Sequence, residues 1–258
     1  MIDEHRTTLG TGGFTGRAVV VTGAGSGIGR AIARAFAAAG AGVLAVGRRP
    51  DALAETAGEH PSIVPFAADL RDESAGEVIV ATALARWNRL DVLVNNAGVF
   101  AAMPLAEATA ARIDDLVATN LTAPSLLAKA ALAPLRERGG AIINVSSTFG
   151  HRPIAGAAHY GATKAAIEQL TRSWALELAP DGVRVNAVAP GPTESEALSS
   201  AGLPEAVIAQ IKAEETARIP LGRRGDPAEV ADWVLRLADP AAWVTGQVLA
   251  VDGGLGLN

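Results

Sequence analysis

Seven short runs rich in Val, Ile and Leu recur along this chain of 258 residues: RAVVVTG, GVLAVG, SIVPF, DVLVNNAG, AIINVSS, VRVNAVAPG and QVLAVDGG. Each is apolar almost without a break. A strand with one wet face would alternate with period two, whereas a parallel strand covered by helices on both faces reads as a continuous apolar run. Alanine-rich segments with helical spacing, such as GRAIARAFAAAG and ESAGEVIVATALARWNRL, lie between the runs. Strand and helix therefore alternate, and the expected fold is α/β, a doubly wound parallel sheet with helices on both faces. No repeat, low-complexity tract or composition break divides the chain. We expect a flexible arm over residues 1–14 and one domain over 15–258, with an irregular passage at about 192–222 long enough to cover a ligand.

The first run opens directly into a glycine cluster, VVVTGAGSGIGRAIARAF. Gly23, Gly27 and Gly29 permit a tight turn and close backbone approach, and the helix that follows aims unpaired N–H groups and a partial positive charge at an anion. Strand, glycine turn and helix in that order predict a pyrophosphate site, to which Ser26 and Ile28 of the same turn also belong. No Lys-Ser or Lys-Thr follows the glycines, so it is not a Walker loop. At the end of the second run a carboxylate would bind the 2′-hydroxyl of NAD, and an arginine would pair with the 2′-phosphate of NADP. Gly47 stands there, followed by Arg48 and Arg49. NADP(H) is favoured, NAD(H) stays open, and the two arginines read alternatively as solvated groups at a helix start. Ser26, where a basic residue would strengthen the phosphate reading, is neutral.

FAADLRD puts Asp69 and Leu70 just past the third run, where the Asp69 carboxylate is placed to accept from an adenine amino group. VNNAG ends the fourth with Asn95, Asn96, Ala97 and Gly98. In a doubly wound sheet the first and fourth strands flank the crevice where strand order reverses, so these ends converge on one ligand. Asn95 and Asn96 alternatively serve only to tie the turn.

HYGATK holds the only tyrosine of the chain, Tyr160, and one of its three lysines, Lys164. Residues i and i+4 share a helix face. A cation at about 4 Å, at an effective dielectric of about 20, is worth about 4 kcal/mol. The expectation is a phenol whose pKa falls by about two units or more from about 10, usable as proton donor and acceptor near neutral pH.

Together TGAGSGIG, NNAG, NVSS, YGATK, PG and the terminal VDGG, in that order and spacing from about residue 16 to the carboxyl terminus, resemble the short-chain dehydrogenase/reductase family in its single-domain form. The resemblance implies a Rossmann-type seven-stranded sheet of order 3-2-1-4-5-6-7. It also implies that Ser147 orients the substrate oxygen, Tyr160 exchanges its proton, and Lys164 lowers the tyrosine pKa while holding the nicotinamide ribose. Asn120, in VATNLTAP, matches the family asparagine of a proton relay. Pro190, Gly191 and Thr193 match the turn that contacts the nicotinamide carboxamide, with Ser195 where many relatives carry threonine. Phe149, His151, His159 and Met103 are candidates to line the substrate pocket. The family is commonly tetrameric, so a homotetramer, or a homodimer, is expected, with helices at about 105–135 and 159–179 at one interface.

Composition excludes several classes. Without cysteine there is no disulfide, thiol nucleophile or cysteine-ligated metal. The four histidines, His5, His60, His151 and His159, show no tight ligand spacing, and no metal is expected. A net charge of −5 argues against a nucleic-acid or anionic-membrane surface. No uninterrupted apolar run approaches the ~20 residues of a membrane span. The amino terminus lacks an apolar signal core, so a cytoplasmic location is expected. The functional expectation is NADPH-dependent reduction of a small-molecule ketone to a secondary alcohol. An NAD-dependent alcohol or sugar-alcohol dehydrogenase, and a non-catalytic nucleotide sensor, are the alternatives.

Overall fold

The computed structural model describes residues 13–195 and 204–258. Part of the expected arm, and residues 196–203 of the expected covering passage, lie outside the described residues. Fifteen elements carry the fold: β1 (Ala18–Thr22), α1 (Gly27–Ala38), β2 (Gly42–Gly47), α2 (Pro50–Ala57), β3 (Ile63–Ala67), α3 (Ala75–Trp87), β4 (Val92–Asn95), α4 (Ala110–Val117), α5 (Ala123–Arg138), β5 (Ala141–Val145), α6 (Ala158–Leu178), β6 (Arg184–Pro190), α7 (Glu205–Arg218), α8 (Pro227–Ala238) and β7 (Val248–Val251). All seven strands pair in parallel in one sheet of order β3-β2-β1-β4-β5-β6-β7, the expected one.

The continuous apolar runs have the expected cause. Every residue of β1 and β5 is buried, because helices cover both faces. Alternate residues of β1 feed two cores. Val19 and Val21 pack with Ile32 and Phe36 of α1 and Val234 of α8, while Val20 packs with Ile79 of α3 and Leu127 and Leu135 of α5. Each such side chain contributes about 1.5–3 kcal/mol on burial. Edge strands have less cover, and in β3 only Ile63 is buried, the residues after it alternating between half-buried and exposed.

Two expectations change. Phe14, assigned to the flexible arm, is buried at 1 % exposure and packs edge-on against Phe36 with ring centroids 4.8 Å apart, so the anchored body begins before residue 15. Second, α4, a wide π turn (Ala118–Thr122) and α5 form one 29-residue helix, Ala110–Arg138, that by length and composition is apolar enough to cross a membrane. Scanning for uninterrupted apolar runs missed it, because its apolarity is spread among small and polar residues. Leu127, Ala131 and Leu135 of this helix are buried in the core on the sheet.

Candidate active site and coenzyme crevice

The β1–α1 turn is closed by contacts that leave no room for side chains. Gly23 has φ +65°, and a Cβ there would stand 2.8 Å from the Asn96 amide and 2.9 Å from Ala97 Cα; one on Gly29 would fall on the Gly23 carbonyl and the Asn96 amide. Thr22, at the end of β1, ties the two strand ends together: its Oγ1 accepts from the backbone N–H of Asn96 and Ala97 at 3.0 Å each and donates to the Val94 carbonyl at 3.2 Å. Asn96 Nδ2 donates to the Thr22 carbonyl at 2.8 Å. The asparagine thus ties the turn, and the β1 and β4 ends converge as expected. Gly27 has φ +50°, and Ser26 occupies the cap of α1 in extended conformation with no side-chain cap bond. The first turn of α1, Ile28 included, therefore presents backbone N–H groups beside a cradle that a Cβ would fill. That geometry fits a pyrophosphate.

Gly47 ends β2, and Arg48 and Arg49 are exposed, Arg49 standing at the cap of α2. A Cβ on Gly47 would come no nearer than 3.4 Å to Leu53 Cδ2 and 3.9 Å to the Gly25 backbone N, ordinary contacts, so no steric demand at Cβ explains the missing acid. On the neighbouring strand end, past β3, Asp69 is already engaged. Arg71 grips both carboxylate oxygens, at 2.7 Å from Nη2 to Oδ2 and 3.1 Å from Nε to Oδ1, and its backbone N–H donates to Oδ1 at 3.0 Å. The Arg71 side chain, then its backbone N–H, holds the Asp69 carboxyl at about 2. Arg71 also reaches Asp115 of α4 at 3.0 Å, which the sequence did not signal. Leu70, next in the chain, is half-buried.

Ser147, Tyr160, Lys164 and Asn120 meet at the end of β5. The Ser147 hydroxyl lies near enough to the Tyr160 phenol to favour its ionised form. Ser146 Oγ donates toward Glu168 Oε1 (2.9 Å) and the Lys164 carbonyl (3.2 Å). Lys164 is buried, and its Nζ donates to the Val145 carbonyl at 2.9 Å. Asn120 sits in the π turn. Its Oδ1 accepts from Val99 N at 2.8 Å, and its Nδ2 donates to the Val99 carbonyl at 3.0 Å and to Thr163 Oγ1 at 3.1 Å. Thr163 in turn donates to the Tyr160 carbonyl at 2.8 Å. Gly98 lies opposite this group: a Cβ there would stand 3.3 Å from both Asn120 Oδ1 and Lys164 Nζ.

The electrostatics differ from the expectation. The ammonium lies over the Tyr160 ring, 5.8 Å from its centroid, and the tyrosine pKa is raised, burial outweighing the lowering by the nearby Ser147 hydroxyl. Burial instead acts on the lysine, whose pKa falls to about 8. Desolvation of each group exceeds the pairwise attraction that sequence spacing suggested.

Thr193 is buried beside Pro190 and Gly191, with its Oγ1 donating to the Gly191 carbonyl at 2.9 Å. Gly191 is held against the backbone of Asp252, where a Cβ would come within 2.8 Å. Ser195 approaches the glycine turn, since a Cβ on Gly27 would lie 3.0 Å from Ser195 Cβ. The pocket candidates separate. Phe149 is half-buried, its N–H donating to Ser147 Oγ at 3.2 Å. His159 is half-buried with Nδ1 lacking a hydrogen-bond partner among the described residues. Met103 is buried at 1 % exposure, and His151 turns its Nδ1 to Glu168 at 3.1 Å. Phe100 escaped the sequence reading: 60 % exposed, it stands edge-on to the Tyr160 ring with centroids 5.0 Å apart. Its place two residues after NNAG was the available signal.

A family profile described as enoyl-(acyl carrier protein) reductase matches residues 23–256. The chain is 39 % identical over 248 residues to a 3-oxoacyl-[acyl-carrier-protein] reductase of Thermotoga maritima, spanning 93 % of this chain and 98 % of that protein. It is 41 % identical over 248 residues to cis-4-hydroxycyclohexanecarboxylate dehydrogenase of Sinomonas cyclohexanicum, spanning 93 % and 97 %. A crystal structure of a short-chain dehydrogenase/reductase of unknown function from Caenorhabditis elegans, determined with cofactor, matches the fold with a TM-score of 0.87 at 31 % identity, covering 95 % of this chain and 97 % of that one. With the sheet order, the glycine crevice and these likenesses together, the chain belongs to the short-chain dehydrogenase/reductase family, NAD(P)-dependent oxidoreductases that interconvert CH–OH and C=O groups.

Proposed function

We propose that the protein reduces a ketone to a secondary alcohol, with NADPH as the preferred coenzyme and Tyr160 as the proton donor. The carrying observation is the grouping at the end of β5: the Lys164 ammonium stands 5.8 Å from the Tyr160 ring centroid, with Asn120 beside it across Gly98. The phenol, its pKa raised by burial, holds its proton at neutral pH and is the donor available to a developing alkoxide. NADPH supplies the hydride. Ser147, beside Tyr160, orients the carbonyl oxygen, and the two hydroxyls stabilise the charge that grows there. Lys164 and Asn120, facing one another across Gly98, hold the ribose side and refill the tyrosine proton through solvent. Gly23, Gly27, Gly29 and the first turn of α1 hold the pyrophosphate. Arg48 and Arg49 take the 2′-phosphate, and the Thr193 turn borders the nicotinamide.

The exposed Phe100 ring beside Tyr160, with the relative named for a hydroxycyclohexanecarboxylate, supports a ring-sized ketone with an apolar ring face. The neutral Ser26 favours the second reading, an NAD-dependent alcohol dehydrogenase. A cytoplasmic homotetramer completes the proposal. The exposed Leu176 on α6, at 81 %, supports assembly, and light scattering returning a monomer would remove that part.

The test is absorbance at 340 nm with NADPH and NADH in parallel across a ketone panel that includes cyclohexanones. Tyr160→Phe is expected to keep coenzyme binding and lose about 10²–10⁴ in rate. Full residual activity in that variant would take Tyr160 out of the reaction, and preference for NADH would select the second reading.

A further inference from the structure

Helix α7 runs from Glu205 to Arg218 without one buried residue, so apolar packing does little to hold it to the body. What meets it is charge. Arg224, in the turn before α8, is an arginine with only 7 % of its side chain exposed. Its Nη2 donates to the Thr193 carbonyl at 2.7 Å, its Nε faces Glu194 Oε1 at 2.9 Å, and its Nη1 meets Glu215 Oε2 of α7. Lys212, one turn earlier in α7, reaches the other oxygen of Glu194 at 2.5 Å. Two cations and two carboxylates thus form one neutral network across three segments: the Thr193 turn, α7 and the turn leading into α8. The carboxyl of Glu194 is held below its usual range by Lys212 first and by Arg224 next, as a shared anion should be.

The neighbouring arginine does a separate task. Arg223 pairs with Glu229, which closes the capping box of α8, and has no part in holding α7. Backbone bonds already pin the Thr193 turn to Gly225, from Glu194 N to the Gly225 carbonyl at 2.8 Å and from Gly225 N to the Pro192 carbonyl at 3.0 Å. Those bonds leave α7 untouched. Glu194, Lys212 and Arg224 also line a cavity of about 550 Å³, and Lys212 and Glu194, at 37 % and 46 % exposure, are the members of the network open to screening by salt.

We propose that Arg224 is a positioning residue: it sets α7 beside the Thr193 turn through ion pairs, and so makes the apparent affinity for the ketone depend on ionic strength. The proposal rests on the reading above in which that turn borders the nicotinamide, and on the expectation that the passage at about 192–222, to which α7 belongs, covers the ligand. Because α7 is held by charge, screening should loosen it while the sheet and the glycine crevice stay as they are.

The experiment compares wild type, Arg224→Met and Arg224→Lys in ketone reduction at about 0.05 M and about 0.5 M NaCl, where the screening length shrinks more than twofold. For wild type, KM for the ketone should rise with salt. For Arg224→Met, KM should be about tenfold higher at low salt and respond more weakly to it, since the Lys212–Glu194 pair remains, with kcat and Tm near wild type. Arg224→Lys, which keeps one charge without the fork, should fall between. In parallel, trypsin cleavage after Lys212 and Arg218 is timed without any substrate; it should quicken in Arg224→Met and in wild type at high salt. Wild-type values of KM, salt response and cleavage in Arg224→Met would overturn the proposal. So would equal losses in kcat and Tm, which mark a residue needed only for folding. If no ketone is turned over, the reaction assigned above fails, while the cleavage rates still decide the role of Arg224.

Discussion

The turn between β1 and α1 and the cluster between β5 and α6 lie at the same edge of one sheet and are held in opposite ways. The first is defined by atoms that are missing. Gly23 and Gly29 bring backbone against backbone and against the Asn96 amide, and nothing in that contact titrates. The second is defined by polar groups taken out of water. Lys164 is buried on one carbonyl, and Ser146, Asn120, Thr163 and Glu168 are buried around it, each with a partner. One is rigid through shape at no electrostatic cost, and the other carries a standing desolvation penalty for the chemistry it makes available.

The sharpest way to break this contrast is Gly29→Ala. Its methyl group would fall on the Gly23 carbonyl and the Asn96 amide, neither of which is free to withdraw. Overpacking of this kind costs about 1–3 kcal/mol or more, and coenzyme affinity should fall about a hundredfold, equally at about pH 6 and about pH 9. Titration of NADPH fluorescence measures it; a pH-dependent loss would show that the turn is not purely steric.

Next in size is Lys164→Met. Burial lowers the lysine from 10.5 to about 8, so the folded chain binds fewer protons than the unfolded one between those values. Wild-type stability should therefore rise with pH across that window, and the full cost, about 3 kcal/mol at most, is present below pH 8. Turnover should collapse in the variant while its stability at pH 7 exceeds wild type, with the gap closing towards pH 10.5 in urea unfolding curves. A variant less stable than wild type would mean that the bond to Val145 outweighs desolvation.

The smallest effect tests the open side of the steric region. Gly47 has room for a side chain, so Gly47→Asp should leave Tm unchanged. Its carboxylate should shift the ratio of NADPH to NADH affinity about tenfold towards NADH. An unchanged ratio would place the 2′-phosphate elsewhere than at Arg48 and Arg49.

What the sequence carried follows the same division. Glycine spacing reports close approach directly, because only glycine tolerates it, and the apolar runs report a sheet covered on both faces; strand order, crevice and the Ser147–Tyr160–Lys164 grouping were legible on those grounds with the family pattern. Contacts between residues far apart in the chain were not. Nothing local in TGGFTG says that Phe14 meets Phe36, and nothing in DLRD says that Arg71 spans Asp69 and Asp115. The direction of the Tyr160 shift was misread for a related reason. Spacing i to i+4 supplies a neighbour's charge, whereas burial, which decides the sign, is a property of the whole fold.

The π turn at Ala118–Thr122 has a consequence for how such a site is gained and lost. A wide turn stores one residue more than an α-helix of the same rise, so it acts as a local offset between two otherwise regular stretches. Asn120 occupies that offset, while Leu116 before it and Leu127 after it are both buried. Removing one residue there would return the segment to plain α-helix, keep the packing of both flanks, and take the asparagine away from Val99 and Thr163. The long helix as a structural member and its one buried amide are therefore separable by a single codon.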